Sequence, residues 1–257
     1  QFVPAAPASW DDLALVHTPR WLDRLRRFDL TLQEIARLEL PATADTVEGF
    51  RLMCGGTVAA ARLALDAGPP RTLRGGLHHP FPDHGEGFCM FNDVALAIRV
   101  LQREGRIRRA AVVDLDVHHG NGTAAIFAGD PDVFTLSVHQ WNNYPAEKPA
   151  SSLDVHLPDG TGDAEYLERV REALPLVVAH RPDLAVYLAG ADPYHDDQLG
   201  GLSLSKAGLR VRDRTVLGGL RAAGIPVVVT LAGGYARRTE DTVAIHVATV
   251  EEAAACA

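Results

Sequence analysis

Cysteine is scarce in this 257-residue chain: Cys54, Cys89 and Cys256 are the three present, and no CxxC pair occurs among them. That excludes a disulfide framework and a cysteine-based zinc motif, and points to a reduced, cytoplasmic setting. No apolar run approaches the roughly 20 residues that a membrane span needs, so no membrane partner is expected. No signal-peptide pattern opens the chain, which starts at Gln1 rather than Met. Basic residues are in the minority, with 25 Lys and Arg against 33 Asp and Glu, a formal net charge of −8 and a pI near 5.7. A nucleic-acid binder needs a basic face, so no nucleic-acid partner is expected. A cationic substrate stays open, because the local field around a site outweighs the total charge. Internal repeats, low-complexity tracts and Ser-, Pro- or Gly-rich linkers are also missing. With 47% hydrophobic residues, one globular domain over residues 1–257 is expected.

Apolar positions recur at helical spacing over about 47–67, 91–104, 163–180 and 205–223, with an alanine-rich stretch over about 239–256. Between them lie short β-branched runs at 111–116, 133–138, 184–189 and 226–231, of the kind that form strands buried on both faces. Strands alternating with helices predict an α/β fold, with a mainly parallel sheet between two helical layers. In such sheets ligands bind beyond the carboxyl ends of the strands, where the unusual residues of this chain fall.

The run Asp114-Leu115-Asp116-Val117-His118-His119-Gly120-Asn121-Gly122 is the most informative. Side chains alternate across a strand, so Asp114, Asp116 and His118 project to one face as it ends. Two carboxylates and an imidazole suit a divalent metal; buried acids bonded within the sheet are the plainer alternative. A second apolar run ends in Asp192, where capping of the next loop competes with a ligand role. Asp116, His118 and Asp192 would leave one position open for water, the catalytic arrangement. Zinc is the expected ion, and so oxygen-rich a set also suits Fe(II).

His78 and His79 follow a Gly pair, and could supply the base and acid that amide hydrolysis needs. A carboxylate partner such as Asp114 would raise the pKa of one imidazole, while an amide such as Asn121 would only fix a tautomer. Spacing leaves open which histidine takes which partner. Tyr235, displayed after Gly233-Gly234, could donate to a developing oxyanion, although an aromatic lid is the commoner role of a lone tyrosine.

Taken together, Gly76 to His79, Gly85 to Asp93, Asp114 to Thr123, Ala189 to Pro193 and Ala232 to Tyr235 resemble the histone deacetylase superfamily, more narrowly its bacterial and class IV-like members. The blocks keep the family's order over roughly residues 15 to 250. The resemblance implies an arginase/deacetylase-type three-layer α/β/α fold and zinc on Asp116, His118 and Asp192. It assigns His78 to Asp114, and pairs His79, the general base and acid, with Asn121. It gives Tyr235 the scissile carbonyl, and the walls of an acyl-lysine tunnel to Gly87, Phe88 and, more loosely, Tyr144. It also implies a structural potassium ion on Asp114 and Ser137, with backbone oxygens of Asp116, His118 and Val138. The expected substrates are acetylated lysine in a protein or peptide, or an acetylated polyamine or other small amide; acyl length and oligomeric state are not legible. Three features depart from the family pattern. Ala232 stands where glycine is frequent, Gln198 where arginine is common, and the family's opening strand and first rim loop are expected to be lacking ahead of Gln1. Two rival readings remain. An arginase-type ureohydrolase needs acids for a second metal, for which only Asp196 and Asp197 stand near. An inactive acyl-lysine-binding module would have lost a ligand or the His pair.

Overall fold

The computed structural model describes residues 4–67, 71–73 and 75–256. Its six strands are β1 (Arg71–Leu73), β2 (Ala110–Asp114), β3 (Val133–Gln140), β4 (Leu153–Leu157), β5 (Leu184–Leu188) and β6 (Val227–Thr230). They form one sheet in the order β1-β6-β5-β2-β3-β4, and every neighbouring pair is parallel. The long helices are α4 (Ala44–Ala67), α5 (Asp93–Arg103), α7 (Asp163–Ala179), α8 (Lys206–Ala222) and α9 (Thr239–Ala255). Four short ones, α1 (Trp10–Leu13), α2 (Pro19–Arg27), α3 (Leu32–Leu38) and α6 (Asn121–Ile126), complete the described set. None is long and apolar enough to cross a membrane.

Alternation along the strands feeds two separate cores. Val112, Val186, Leu188 and Val228 pack against Ala61 and Ala64 of α4 and Leu96 and Leu101 of α5. Ala111, Val113, Tyr187, Val227 and Val229 face the other way, against Val170 and Val177 of α7 and Leu209 and Val216 of α8. Covering both faces demands the continuous apolar runs seen in these strands, and yields the expected α/β/α layering.

Helix bounds fall within about three residues of those the periodicity predicts. The strand expected over 111–116, however, stops at Asp114. Beyond it the backbone leaves the ladder, because the Asp114 carboxylate takes the N–H of Asp116 (3.1 Å) and the Asp116 carboxylate takes that of His118 (3.0 Å). From β2 the chain builds outward to β3 and β4, and it then returns to the other side of β2 with β5 and β6, the latter lying against the earlier β1. The loops that follow β2 and β5 therefore diverge and open a crevice between them, the usual ligand position in such a sheet.

Candidate active site

Three strand tails are stitched together at that crevice. Asp192, after β5, accepts from the Val117 N–H (2.9 Å), and Asp116 accepts from the Gly233 N–H after β6 (2.8 Å). The buried Arg212 of α8 braces the tails from below, donating to Gly190 O (2.6 Å) and Leu115 O (3.4 Å). Gly233 admits no side chain, since a Cβ there would lie 2.0 Å from Asp192 Oδ2.

Asp116, His118 and Asp192 each bring one donor atom within 4.8 Å of the others. His118 Nδ1 lies 3.0 Å from Asp116 Oδ1 and 3.5 Å from Asp192 Oδ2. Asp192 Oδ2 is buried and accepts no hydrogen bond. Burial, then repulsion from Asp116, pushes the Asp192 carboxyl well above the usual carboxylate range, while His78 and His118 hold Asp116 low against its own burial. Burial disfavours a charged His118, but Asp116 and Asp192 outweigh it and raise its pKa to about 10. Two adjoining carboxylates, one with an orphaned oxygen, and an imidazole fit a single divalent cation. A second His/Asp group, His119, His139 and Asp154, is bonded largely within itself and to its neighbours. His119 Nε2 meets Asp154 (3.1 Å), and His139 meets Ser137 (3.0 Å) and His156 (3.0 Å).

Asp93, at the start of α5, sets the His-His segment in place. Its carboxylate accepts from the Gly76 N–H (3.1 Å), the Leu77 N–H (2.7 Å) and the Thr57 hydroxyl (2.6 Å). His78 Nδ1 then donates to Asp114 (2.7 Å), and His79 Nδ1 lies 2.8 Å from Asn121 Oδ1. The two Nε2 atoms face each other at 3.1 Å. Burial would lower His78, but Asp114 and Asp116 lift it to about 9; burial and the charges of His78 and His118 hold His79 well below 6.5. The pair is thus differentiated into one imidazolium and one neutral imidazole.

A cavity of about 480 Å³ opens onto this cluster. Its walls include Gly87, Phe88, Tyr144 and Tyr235, with His79 and His118 deeper. The Tyr144 ring stands edge-on to His79, with centroids 5.0 Å apart. Gly87 is required by its φ of 54° and by a virtual Cβ position 2.7 Å from the His79 ring. Tyr235 is partly exposed; its N–H donates to Asp197 (2.6 Å), and its carbonyl accepts from Gln198 Nε2 (3.0 Å). Gln198 therefore steadies the tyrosine loop. Asp197 also caps the N–H groups of Leu199 and Gly200, and Asp196 faces Arg237 at 3.4 Å, so neither acid is directed at a second metal. Ser137 sits beside Asp114 in the β2–β3 register, its hydroxyl on His139, and Val138 is buried next to it.

Sequence reasoning assigned no role to Glu86. Its Oε1 accepts from Asn121 Nδ2 at 2.7 Å, which extends the His79–Asn121 contact by one carboxylate. A lone acid between two glycines was the only signal, and its partner lies 35 residues away.

The histone deacetylase domain family matches residues 1–250. An uncharacterised protein of Picosynechococcus sp. is 42% identical over 235 residues, covering 91% of this chain and 78% of its own. Histone deacetylase 2 of Arabidopsis thaliana is 33% identical, covering 92% of this chain and 64% of its own length. A histone deacetylase-like amidohydrolase of Pseudomonas aeruginosa is likewise 33% identical, with 91% and 66% covered. The chain thus spans about two thirds of those two named relatives. The crystal structure of the HDA15 HD domain superposes with a TM-score of 0.79 at 26% identity, over 98% of this chain and 77% of that one. Site geometry, sheet order and matched domain agree, and the chain belongs to the histone deacetylase family.

Proposed function

We propose that the chain is a metal-dependent amide hydrolase that removes an acetyl or related acyl group from a lysine-like amine. The observation that carries this reading is the orphaned Asp192 Oδ2 facing His118 on the cavity that His79 and Tyr235 also line. Zinc, or Fe(II), held by Asp116, His118 and Asp192 would supply Lewis acidity, polarising the acyl carbonyl and acidifying the attacking water. His79, neutral and pinned through Nδ1, presents Nε2 to take the proton of that water and return it to the departing amine. His78, kept as an imidazolium by Asp114, adds positive charge where the oxyanion develops. Tyr235 donates its hydroxyl to that oxygen. Gly87, Phe88 and Tyr144 form an apolar slot for the methylene chain of an acyl-lysine or acylpolyamine. Asp114 and Ser137, with backbone oxygens of Asp116, His118 and Val138, would hold a structural potassium ion.

A fluorogenic acetyl-lysine peptide, acetylpolyamines and longer acyl-lysines, each assayed with and without a chelator, test the reading. Turnover abolished by the chelator and restored by zinc is expected, and Tyr235→Phe should lower kcat about 10²–10³-fold with zinc still bound. An absence of metal-sensitive turnover on every substrate would instead favour an acyl-lysine-binding module.

A further inference from the structure

We infer that Glu86 is a positioning residue whose carboxylate fixes the orientation of the Asn121 amide and, through it, the tautomer of His79. The inference rests on the reading of His79 as the general base and acid. A primary amide is ambiguous, because its oxygen and nitrogen ends occupy nearly the same space and can exchange by rotation. With Oδ1 towards His79, the ring carries its proton on Nδ1 and keeps Nε2 as an acceptor, the atom that faces His78 Nε2. With Nδ2 towards His79, Nδ1 must accept, Nε2 becomes the N–H, and the base is lost. Distance alone does not select between them, since both arrangements make a hydrogen bond.

Glu86 breaks the tie. A carboxylate only accepts, so at 2.7 Å from Asn121 it demands the amide N–H and repels the amide oxygen. Asn121 Oδ1 is thereby turned to His79 Nδ1, 2.8 Å away. At the other end Asp114, equally acceptor-only, takes the Nδ1 proton of His78, and the two Nε2 atoms meet between them. The polarity of the whole chain is set by a carboxylate at each end.

Glu86 is itself held from outside. Its Oε2 lies 3.4 Å from Arg37 Nε and 3.4 Å from His84 Nε2, and the Tyr144 hydroxyl is hydrogen-bonded to it. Burial works against its charge, but the bonds from His84, Asn121 and Tyr144 keep its carboxyl below the usual glutamate range. If Glu86 served only as a rim ion pair with Arg37, its closest bond would be to that half-exposed arginine; the closest is instead the inward one, to Asn121.

The test uses the zinc-loaded full chain with ¹⁵N-labelled histidine, in which NMR reads the His79 tautomer directly. Wild type should show a single Nδ1–H form. Glu86→Gln keeps the shape but faces one ambiguous amide with another. We expect mixed tautomers, a kcat lower by about tenfold or more, and a KM within about twofold. Combining Glu86→Gln with Asn121→Asp reverses the donor and the acceptor across the same contact. The double variant should regain the single tautomer, a rescue that a merely structural role does not produce, while its new carboxylate raises the His79 pKa and moves the kcat profile to higher pH. A single tautomer or an unchanged kcat in Glu86→Gln overturns the inference, as does a folded double variant that keeps mixed tautomers. A wild-type chain inactive on every acyl substrate would overturn the proposed function instead, while the tautomer arms stay readable.

Discussion

Ala232 adopts a φ of 50°, a left-handed conformation that costs a residue with a Cβ about 1–2 kcal/mol. It sits on the wall of the cavity, directly before Gly233. Strain retained at such a place is characteristic of functional sites. Ala232→Gly should therefore raise stability by up to about 1 kcal/mol, the relief of strain exceeding the added freedom of the unfolded chain. A thermal melt checks this, and a clear loss of stability would contradict it. One position on, the opposite change is severe. Gly233→Ala would drive a methyl group into Asp192 Oδ2 and Asp116 Oδ2, at 2.0 and 2.7 Å. We expect zinc affinity to fall by about tenfold or more while the fold survives, as read by competitive zinc titration. At this scale the sequence was most legible where chemistry and rarity coincide, in Asp116, His118, Asp192 and the two histidines. Glu86 was illegible because its meaning lies in which atom of Asn121 it faces, and no spacing encodes that.

Among the secondary-structure elements, legibility followed burial. The central strands β2, β5 and β6 are covered on both faces, so their continuous apolar runs stand out from the background. The edge strand β4 has Leu153, Val155 and Leu157 alternating with Asp154 and His156, a weaker signal that the search for unbroken runs passed over. The short helices α1 to α3 were missed for a related reason: each buries only a few side chains, and polar caps at Ser9, Thr18 and Thr31 define their starts. Helix α8 has a task that its periodicity conceals. Arg212 lies fully buried, paired with Asp213 at 2.8 Å, and its Nη1 donates to the carbonyls of Leu115 and Gly190 on the two tails that carry the candidate metal ligands. Arg212→Leu leaves Asp213 buried without its counter-charge and should cost about 3–5 kcal/mol, measured by urea unfolding. Adding Asp213→Leu should restore part of that loss, and no recovery would show that the ion pair is not the main term.

For the whole molecule, two buried histidines outside the candidate site, His17 and His139, add to the sensitivity of stability to acid. His17 donates through Nδ1 to Phe81 O (3.0 Å) and accepts through Nε2 from the Asn92 N–H (3.1 Å), a pattern that requires the neutral ring. Burial lowers its pKa to about 4; burial, with the charges of His119 and His156, lowers His139 to about 3. The unfolded chain takes up these protons near pH 6.5 and the folded chain resists, so stability is intact above that pH and is lost as pH falls towards 4. Each histidine contributes a slope of at most about 1.4 kcal/mol per pH unit. Urea midpoints between pH 6.5 and 5 should decline accordingly, and His17→Gln should flatten the decline; an equal slope in that variant would remove His17 from the account.

The strand order has a temporal consequence. β1, which leads into the His-His segment, pairs among the described strands only with β6, which ends at Thr230. A nascent chain on the ribosome can therefore assemble β2 to β5 early, but it cannot complete the sheet edge beneath its histidines until β6, which ends at Thr230, has emerged. The proposed hydrolytic competence should therefore appear late, and a translation product that stops before β6 should not possess it.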